Sequence, residues 1–265
     1  MTGTGKVFLI GAGPGAADLM TVRAVSMLKQ AQAVVYDRLV AAEILDLAPA
    51  TARMIPVGKA PRCHTVPQDR INEILAELAE DGLTVARLKG GDPLIFGRGS
   101  EEAAYLERRG VNVTYAPGIT AAQGMAAATG VPLTHRGLAT GVRYVTGHRA
   151  ADRKLDLDWE SLASEDTTLV VYMGVANIAE IALRLMAGGL PGDLPVLAVA
   201  SATTPREARH LSRLDRIGLD MAGAPLRAPV LFVIGHVVSL YRDRPLPADI
   251  AAPVTAPPPA VLAGE

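Results

Sequence analysis

The stretch Val7-Phe8-Leu9-Ile10-Gly11-Ala12-Gly13-Pro14-Gly15-Ala16 sets the reading of the chain: four apolar residues run straight into a glycine-rich loop. A short apolar run without alternation, ended by turn residues, reads as a strand buried on both faces. The same signature recurs over residues 33–37, 85–89, 111–116, 142–146, 167–173, 196–200 and 230–234. Helical periodicity fills the gaps between them. Ile71, Ile74, Leu75 and Leu78 stand at i, i+3, i+4 and i+7, with Glu73, Glu77 and Glu80 on the wetter side; Ile178, Ile181, Ala182 and Leu185 repeat the spacing. Thr21 is placed to cap a helix carrying Val22, Val25 and Leu28. Strands alternating with helices predict an α/β protein with parallel sheets under helical layers.

The segment 131–141, with Pro132, Gly137 and Gly141, lacks helical periodicity and reads as a crossing between two α/β domains. The expected division is an N-terminal α/β domain over 1–137 and a C-terminal α/β domain over 138–244. Residues 245–265 hold six Pro and six Ala with only two charges, too little to build a core, and are expected to form a mobile tail.

The 265 residues carry 26 Lys+Arg against 27 Asp+Glu, a net charge of −1. That balance argues against a nucleic-acid partner, which needs clustered positive charge to displace phosphate counterions. No apolar run reaches the roughly 18 residues of a membrane span, and the first residues enter a strand without a signal-peptide pattern. Cys63 is the single cysteine, so a disulfide framework is ruled out and a reducing cytoplasm is expected. The pair Cys63-His64 lacks the ligand spacing of a zinc site, and no metal is expected.

Two glycine loops carry the functional signal. Gly11, Gly13 and Ala16 fit the G-x-G-x-x-[GA] spacing of a dinucleotide loop, and Asp37 ends the next strand where a ribose-binding acid would stand. Pro14 opposes that reading, because it has no N–H for a pyrophosphate, and Asp18 would compete with one at the helix entrance. The other reading of Gly-Pro-Gly is a rigid turn that walls a cleft. The second loop runs Lys89-Gly90-Gly91-Asp92-Pro93-Leu94-Ile95-Phe96-Gly97-Arg98-Gly99-Ser100-Glu101-Glu102. Its paired glycines let the backbone approach a ligand. Asp92 is either an acceptor at a strand's carboxyl end, where open α/β sheets place their sites, or a turn residue bonding its own backbone. Arg98, between glycines, is set to reach an anion. Ser100 is placed to cap the next helix, with Glu101 and Glu102 in its first turn.

These loops occur together with Tyr36-Asp37-Arg38-Leu39-Val40, Val57-Gly58-Lys59, Pro117-Gly118-Ile119-Thr120-Ala121 and Pro132-Leu133-Thr134-His135-Arg136-Gly137. Val145-Thr146-Gly147-His148 and Tyr172-Met173-Gly174 follow in order. The set resembles the uroporphyrinogen-III C-methyltransferase family over about residues 6–241. The resemblance implies the tetrapyrrole methylase fold, two α/β domains with the cofactor in the cleft between them, in a homodimer. It implies transfer of two methyl groups from S-adenosyl-L-methionine to C2 and C7 of uroporphyrinogen III, giving precorrin-2 and S-adenosyl-L-homocysteine. The product would serve cobalamin or sirohaem biosynthesis.

By the same resemblance, cofactor contacts fall on Pro14, Gly90, Gly91, Asp92, Ile95, Thr120, Ala121, Met173 and Ala202. Asp37 and Lys59 form an acid/base pair, and Arg98 and Met173 face the tetrapyrrole. A polycarboxylate substrate needs local positive charge on a chain of net charge −1, so several of Lys59, Arg62, Arg98, Arg136 and Arg149 are expected to line the cleft, and Arg38 joins Arg98 and Arg136 as a substrate-binding candidate. The chain departs from the family pattern at Ser100, usually Gly, at Ala200-Ser201, often an acid and an asparagine, and over 206–226. Other readings stay open at this point: another precorrin methyltransferase, an NAD-dependent oxidoreductase, or a non-catalytic tetrapyrrole carrier.

Overall fold

The computed structural model describes residues 5–58, 66–148 and 155–243. Lys59, Arg62, Cys63-His64, Arg149 and the expected tail over 245–265 lie outside the described residues. The first sheet holds β1 (Lys6–Gly11), β2 (Ala33–Tyr36), β3 (Arg53–Pro56), β4 (Thr84–Lys89) and β5 (Asn112–Ala116) in the order β3-β2-β4-β1-β5. All its pairs are parallel. Helices α1 (Val22–Leu28), α2 (Ala42–Leu45), α3 (Gln68–Glu80) and α4 (Gly99–Glu107) cover both faces. Alternation along β1 explains the layers. Val7 and Leu9 pack with Ile71, Leu75 and Leu106 on one face; Phe8 and Ile10 pack with Ala24, Leu28 and Ile44 on the other. Thr21 caps α1 as its position predicts, accepting from the Ala24 N–H at 3.1 Å. Ser100 does not cap α4: the helix begins at Gly99 after a left-handed Arg98 (φ 58°), which moves Ser100 inside the first turn.

Helix α5 (Ala121–Thr129) leads to the second sheet, and its Ala122 and Met125 bury against Val170, Leu197 and Val233. That sheet holds β6 (Gly141–Thr146), β7 (Thr167–Tyr172), β8 (Pro195–Ala200), β9 (Ala208–Arg213) and β10 (Val230–Ile234) in the order β6-β7-β10-β8-β9. Only β6 and β7 pair in parallel; the other pairs are antiparallel. The expectation of parallel sheets throughout is corrected here. Helices α6 (Trp159–Leu162), α7 (Ile178–Ala187) and α8 (Ile217–Gly223) cover one face and α5 the other. An apolar run reports burial on both faces and is blind to strand direction. β3 and β9 carry no such run, because both are edge strands with largely exposed or half-exposed residues.

The site follows from the first sheet. β1 and β4 are neighbours, yet α1 after β1 packs on one face and α4 after β4 on the other. The two connections diverge and open a crevice at the strands' carboxyl ends, the topological switch point of an open α/β sheet. The pairing register ends at Gly11 opposite Lys89. Beyond it the backbones bridge once more, with the Gly91 N–H donating to the Gly13 carbonyl at 2.7 Å and the Gly13 N–H returning to Gly91 at 3.2 Å. Gly118, after β5, is wedged into this crossing: a Cβ there would lie 2.1 Å from the Gly91 carbonyl oxygen, and one on Gly11 would lie 2.4 Å from the Gly118 nitrogen. Gly118→Ala should therefore cost about 2–3 kcal/mol of stability through forced backbone shifts. Gly110→Ala has the same chemistry at φ +75° with nothing within 4 Å, and should cost only about 1 kcal/mol. Urea denaturation compares the two; equal losses would show that crowding at the crossing is not what requires glycine.

Candidate active site

A cleft of about 680 Å³ opens at this switch point, between the two sheets. Its size lies in the range of about 300–1,000 Å³ typical of small-molecule sites. The first domain contributes the loops after β1, β2 and β4 and the start of α5; the second contributes the segments after β7 and β8 and the entrance to β10. All the positions that the resemblance assigns to the cofactor line it: Pro14, Gly90, Gly91, Asp92, Ile95, Thr120, Ala121, Met173 and Ala202. Asp37, Arg38 and Arg98 line the same cleft. Arg136 does not: it sits on an exposed turn, where its carbonyl meets the His135 Nδ1 at 2.8 Å.

Local bonds explain how these loops hold their places. Asp92 is a turn residue that also joins two loops: Oδ1 accepts from the Leu94 N–H at 2.8 Å in its own turn, and Oδ2 accepts from the Gly118 N–H at 3.0 Å. Thr120 caps α5 in a reciprocal box with Gln123. The Tyr172 hydroxyl accepts from the Ala122 N–H at 3.2 Å, and burial pushes its proton affinity up. The Phe96 ring lies 5.1 Å from that of Tyr172, centroid to centroid, so a first-domain loop touches a second-domain strand end. On the opposite wall the Ala16 N–H donates to the Thr203 Oγ1 at 3.2 Å.

Two further features collect here. Among the described residues the non-glycine positions with positive φ are Phe96, Arg98, Met173, Ser201 and Thr203, all on loops around the cleft. Such conformations cost about 1–3 kcal/mol each and persist where surrounding structure imposes them, most often at functional sites. Leu39, Ile95, Phe96 and Met173 are also 37–54% exposed, although each is large and apolar. A grouped, exposed apolar surface of this kind is characteristic of a binding groove.

The electrostatics centre on Asp37. Its Oδ1 accepts from the Arg87 Nη2 at 2.7 Å, and its Oδ2 lies 3.7 Å from the Lys89 Nζ. Both cations project from β4 and are almost fully buried. Both also meet Glu102 of α4, which is 0% exposed: Lys89 at 2.7 Å, and Arg87 through Nε at 3.3 Å and Nη2 at 3.2 Å. Burial pushes the Glu102 carboxyl up, but the Arg87 and Lys89 charges outweigh it and hold the group below its ordinary value. Burial, with Arg87 alongside, pushes the Lys89 ammonium below the usual lysine value against the pull of Glu102 and Asp37. Arg98, at the rim, is paired in a fork with Glu101 at 2.7 and 3.0 Å. Motif reasoning missed Arg87, Lys89 and Glu102. The available signal was two cations two residues apart in an otherwise apolar strand, which places both on one buried face and demands a carboxylate partner.

The glycine loop after β1 leads into a 3₁₀ turn, Ala17–Leu19, and the first α-helix begins only at Val22. No α-helix N-terminus stands at residues 11–15 to hold a pyrophosphate, and the dinucleotide reading falls on that ground.

A family model described as Tetrapyrrole (Corrin/Porphyrin) Methylases matches residues 6–218. The Uroporphyrinogen-III C-methyltransferase of Paracoccus denitrificans is 57% identical over 251 residues, covering 95% of this chain and 88% of that protein. The Siroheme synthase of Pseudoalteromonas atlantica is 47% identical over 239 residues; they make up 90% of this chain and only 52% of that longer protein. Among solved structures, the Uroporphyrin-III C-methyl transferase of Thermus thermophilus, complexed with S-adenyl homocysteine, superposes with a TM-score of 0.77 at 39% identity, covering 91% of this chain and 96% of that one. The family match starts at the first residue of β1 and runs into α8, so it takes in every loop that walls the cleft except the entrance to β10. With more than half of its length in that match, the chain belongs to the tetrapyrrole methylase family.

Proposed function

We propose that this chain methylates C2 and then C7 of uroporphyrinogen III, passing through precorrin-1 to precorrin-2, in the biosynthesis of cobalamin or sirohaem. The chain is an S-adenosylmethionine-dependent methyltransferase acting on tetrapyrrole intermediates. Uroporphyrinogen III as the substrate is supported by the names of the Paracoccus and Thermus relatives, and the C2 and C7 positions rest on the family resemblance. The observation that carries it is the convergence of nine motif-assigned cofactor positions and Asp37 on one cleft, from loops spread over residues 14–202. A cytoplasmic homodimer belongs to the same reading; it rests on the resemblance and, for the compartment, on the single cysteine.

The cleft suits the cofactor in its chemistry. Bare backbone at Gly90 and Gly91 allows close approach, while Ile95, Phe96 and Met173 offer an apolar wall. S-adenosylmethionine supplies a methyl group already activated on a sulfonium. The protein's task is to hold the pyrrole carbon in line with that methyl and keep water out. Attack by the ring carbon leaves positive charge on the pyrrole, and the partly exposed Asp37 carboxylate accepts the proton that restores neutrality. Lys59 is its proposed partner, and Arg38 and Arg98 meet substrate carboxylates at the cleft's rim.

Incubation with uroporphyrinogen III and methyl-labelled S-adenosylmethionine, followed by mass and positional analysis, should give a product labelled at C2 and C7. A label at another carbon, or no label on uroporphyrinogen III, would move the chain to a different tetrapyrrole step. Asp37→Ala should lower kcat by about a hundredfold or more while leaving S-adenosylhomocysteine affinity unchanged in calorimetry; full activity would retire Asp37 as the proton acceptor. Arg98→Ala should weaken tetrapyrrole binding about tenfold, or about 1.4 kcal/mol, with cofactor affinity intact. Equal losses for both ligands would instead mean a disturbed fold.

A further inference from the structure

Glu102 accounts for a large electrostatic arrangement yet does not itself line the cleft. It is fully buried on α4, and its two oxygens receive three side chains: Lys89, Arg87 and Gln68, the last at 3.1 Å. Removing an ion cluster of this kind from water is costly, and apolar side chains of similar volume would fill the space without that cost. Stability alone therefore gives no reason for it. The arrangement does have one outlet. Arg87 uses a single nitrogen, Nη2, to reach both Glu102 and the Asp37 carboxylate, and Lys89 lies between the same two acids. Asp37, Arg87 and Lys89 all line the cleft, and Asp37, 29% exposed against 0–5% for the other three, is the most open member. The next charges outward, Glu101 and Arg98, are paired with each other.

We propose that Glu102 is a positioning residue for Asp37: by anchoring Arg87 and Lys89 from behind, it fixes where the Asp37 carboxylate stands in the cleft. Two cations facing one carboxylate would draw it inward; with Glu102 present they are shared between two carboxylates, and Asp37 is held by one short bond at its edge. The hold leaves Asp37 anchored through Oδ1, with Oδ2 only loosely engaged by Lys89. This inference rests on the reading of Asp37 as the proton acceptor and adds a residue that the motifs did not assign.

The test is a mutant cycle on the full chain with uroporphyrinogen III and S-adenosylmethionine, with kcat expressed per S-adenosylhomocysteine-binding site so that only folded protein is counted. Glu102→Gln keeps the volume and an acceptor for Lys89 but removes the charge. It should lower kcat at least tenfold, leave KM for S-adenosylmethionine within twofold, and cost nothing further in an Asp37→Ala background. That last result separates positioning from general damage, because a structural defect would slow the Asp37→Ala enzyme as well. If Glu102→Gln binds no S-adenosylhomocysteine, the paired replacement Arg87→Met with Glu102→Leu removes both buried charges together and should fold, with the same loss of kcat. Wild-type kcat in either folded variant, additive losses in the cycle, or failure of both variants to bind S-adenosylhomocysteine would each overturn the proposal. Full activity of Asp37→Ala alone would sink the earlier reading instead, so the two failures are distinguishable.

Discussion

The contact on which the rest of the molecule depends is backbone against backbone, where the loops after β1, β4 and β5 cross at Gly11, Gly91 and Gly118. Three strand ends can converge this closely only if no Cβ stands between them. Their convergence brings the Asp92 carboxylate within reach of the Gly118 N–H, and that bond in turn sets Gly90 and Gly91 opposite Thr120 and Ala121. The cleft floor is therefore a consequence of steric emptiness at Gly11 and Gly118 and of the left-handed backbone (φ +69°) at Gly91. A parallel sheet provides the occasion, since all its strands deliver their loops to one edge and its switch point leaves a gap between them.

The second wall comes from a sheet of different construction, and α5 connects the two. Its first residues, Thr120 and Ala121, lie in the cleft, while Ala122 and Met125 are buried on the second sheet. The Tyr172 hydroxyl accepts from the backbone at Ala122 and its ring meets Phe96, so a single side chain ties both domains at the cleft. Strain accumulates on these loops and not on the sheets: the five left-handed non-glycine residues belong to the segments after β4, β7 and β8. Two well-packed cores can hold loops in costly conformations because the loops' ends are fixed by the strands they continue.

Charge is distributed by the same logic. The chain is nearly neutral overall, and among the described residues two buried cations, Arg87 and Lys89, and the buried Glu102 stand behind the partly exposed Asp37. Burial acts on each group in the direction that disfavours its ionised form, and mutual proximity opposes it. For Glu102 proximity wins, because two cations meet one acid; for Lys89 burial and the neighbouring Arg87 win. The result is a carboxylate that faces a ligand cleft while its counter-charges remain out of water.

Much of the fold was legible because burial leaves a local trace. The runs at β1, β4, β8 and β10 mark strands covered on both faces, and the spacing of Ile71, Leu75 and Leu78 marks the face of α3. The edge strands β3 and β9 left no such trace, since half-exposed residues need no apolar pattern. The antiparallel pairing of the second sheet was equally silent, because apolar strands look alike in either direction. At the site, the family resemblance named residues that line the cleft, with Arg136 the exception. It did not find the cluster behind Asp37, whose closest partner, Arg87, lies 50 residues away. What the sequence by itself determined was which segments are buried strands and amphipathic helices, and which glycine loops share the family's motif order, because periodicity and motif order are properties of neighbouring residues. Only the tertiary structure decided that Arg87, Lys89 and Glu102 stand behind Asp37 and that Gly11, Gly91 and Gly118 touch, because those distances are set by how the strands pair and the helices pack.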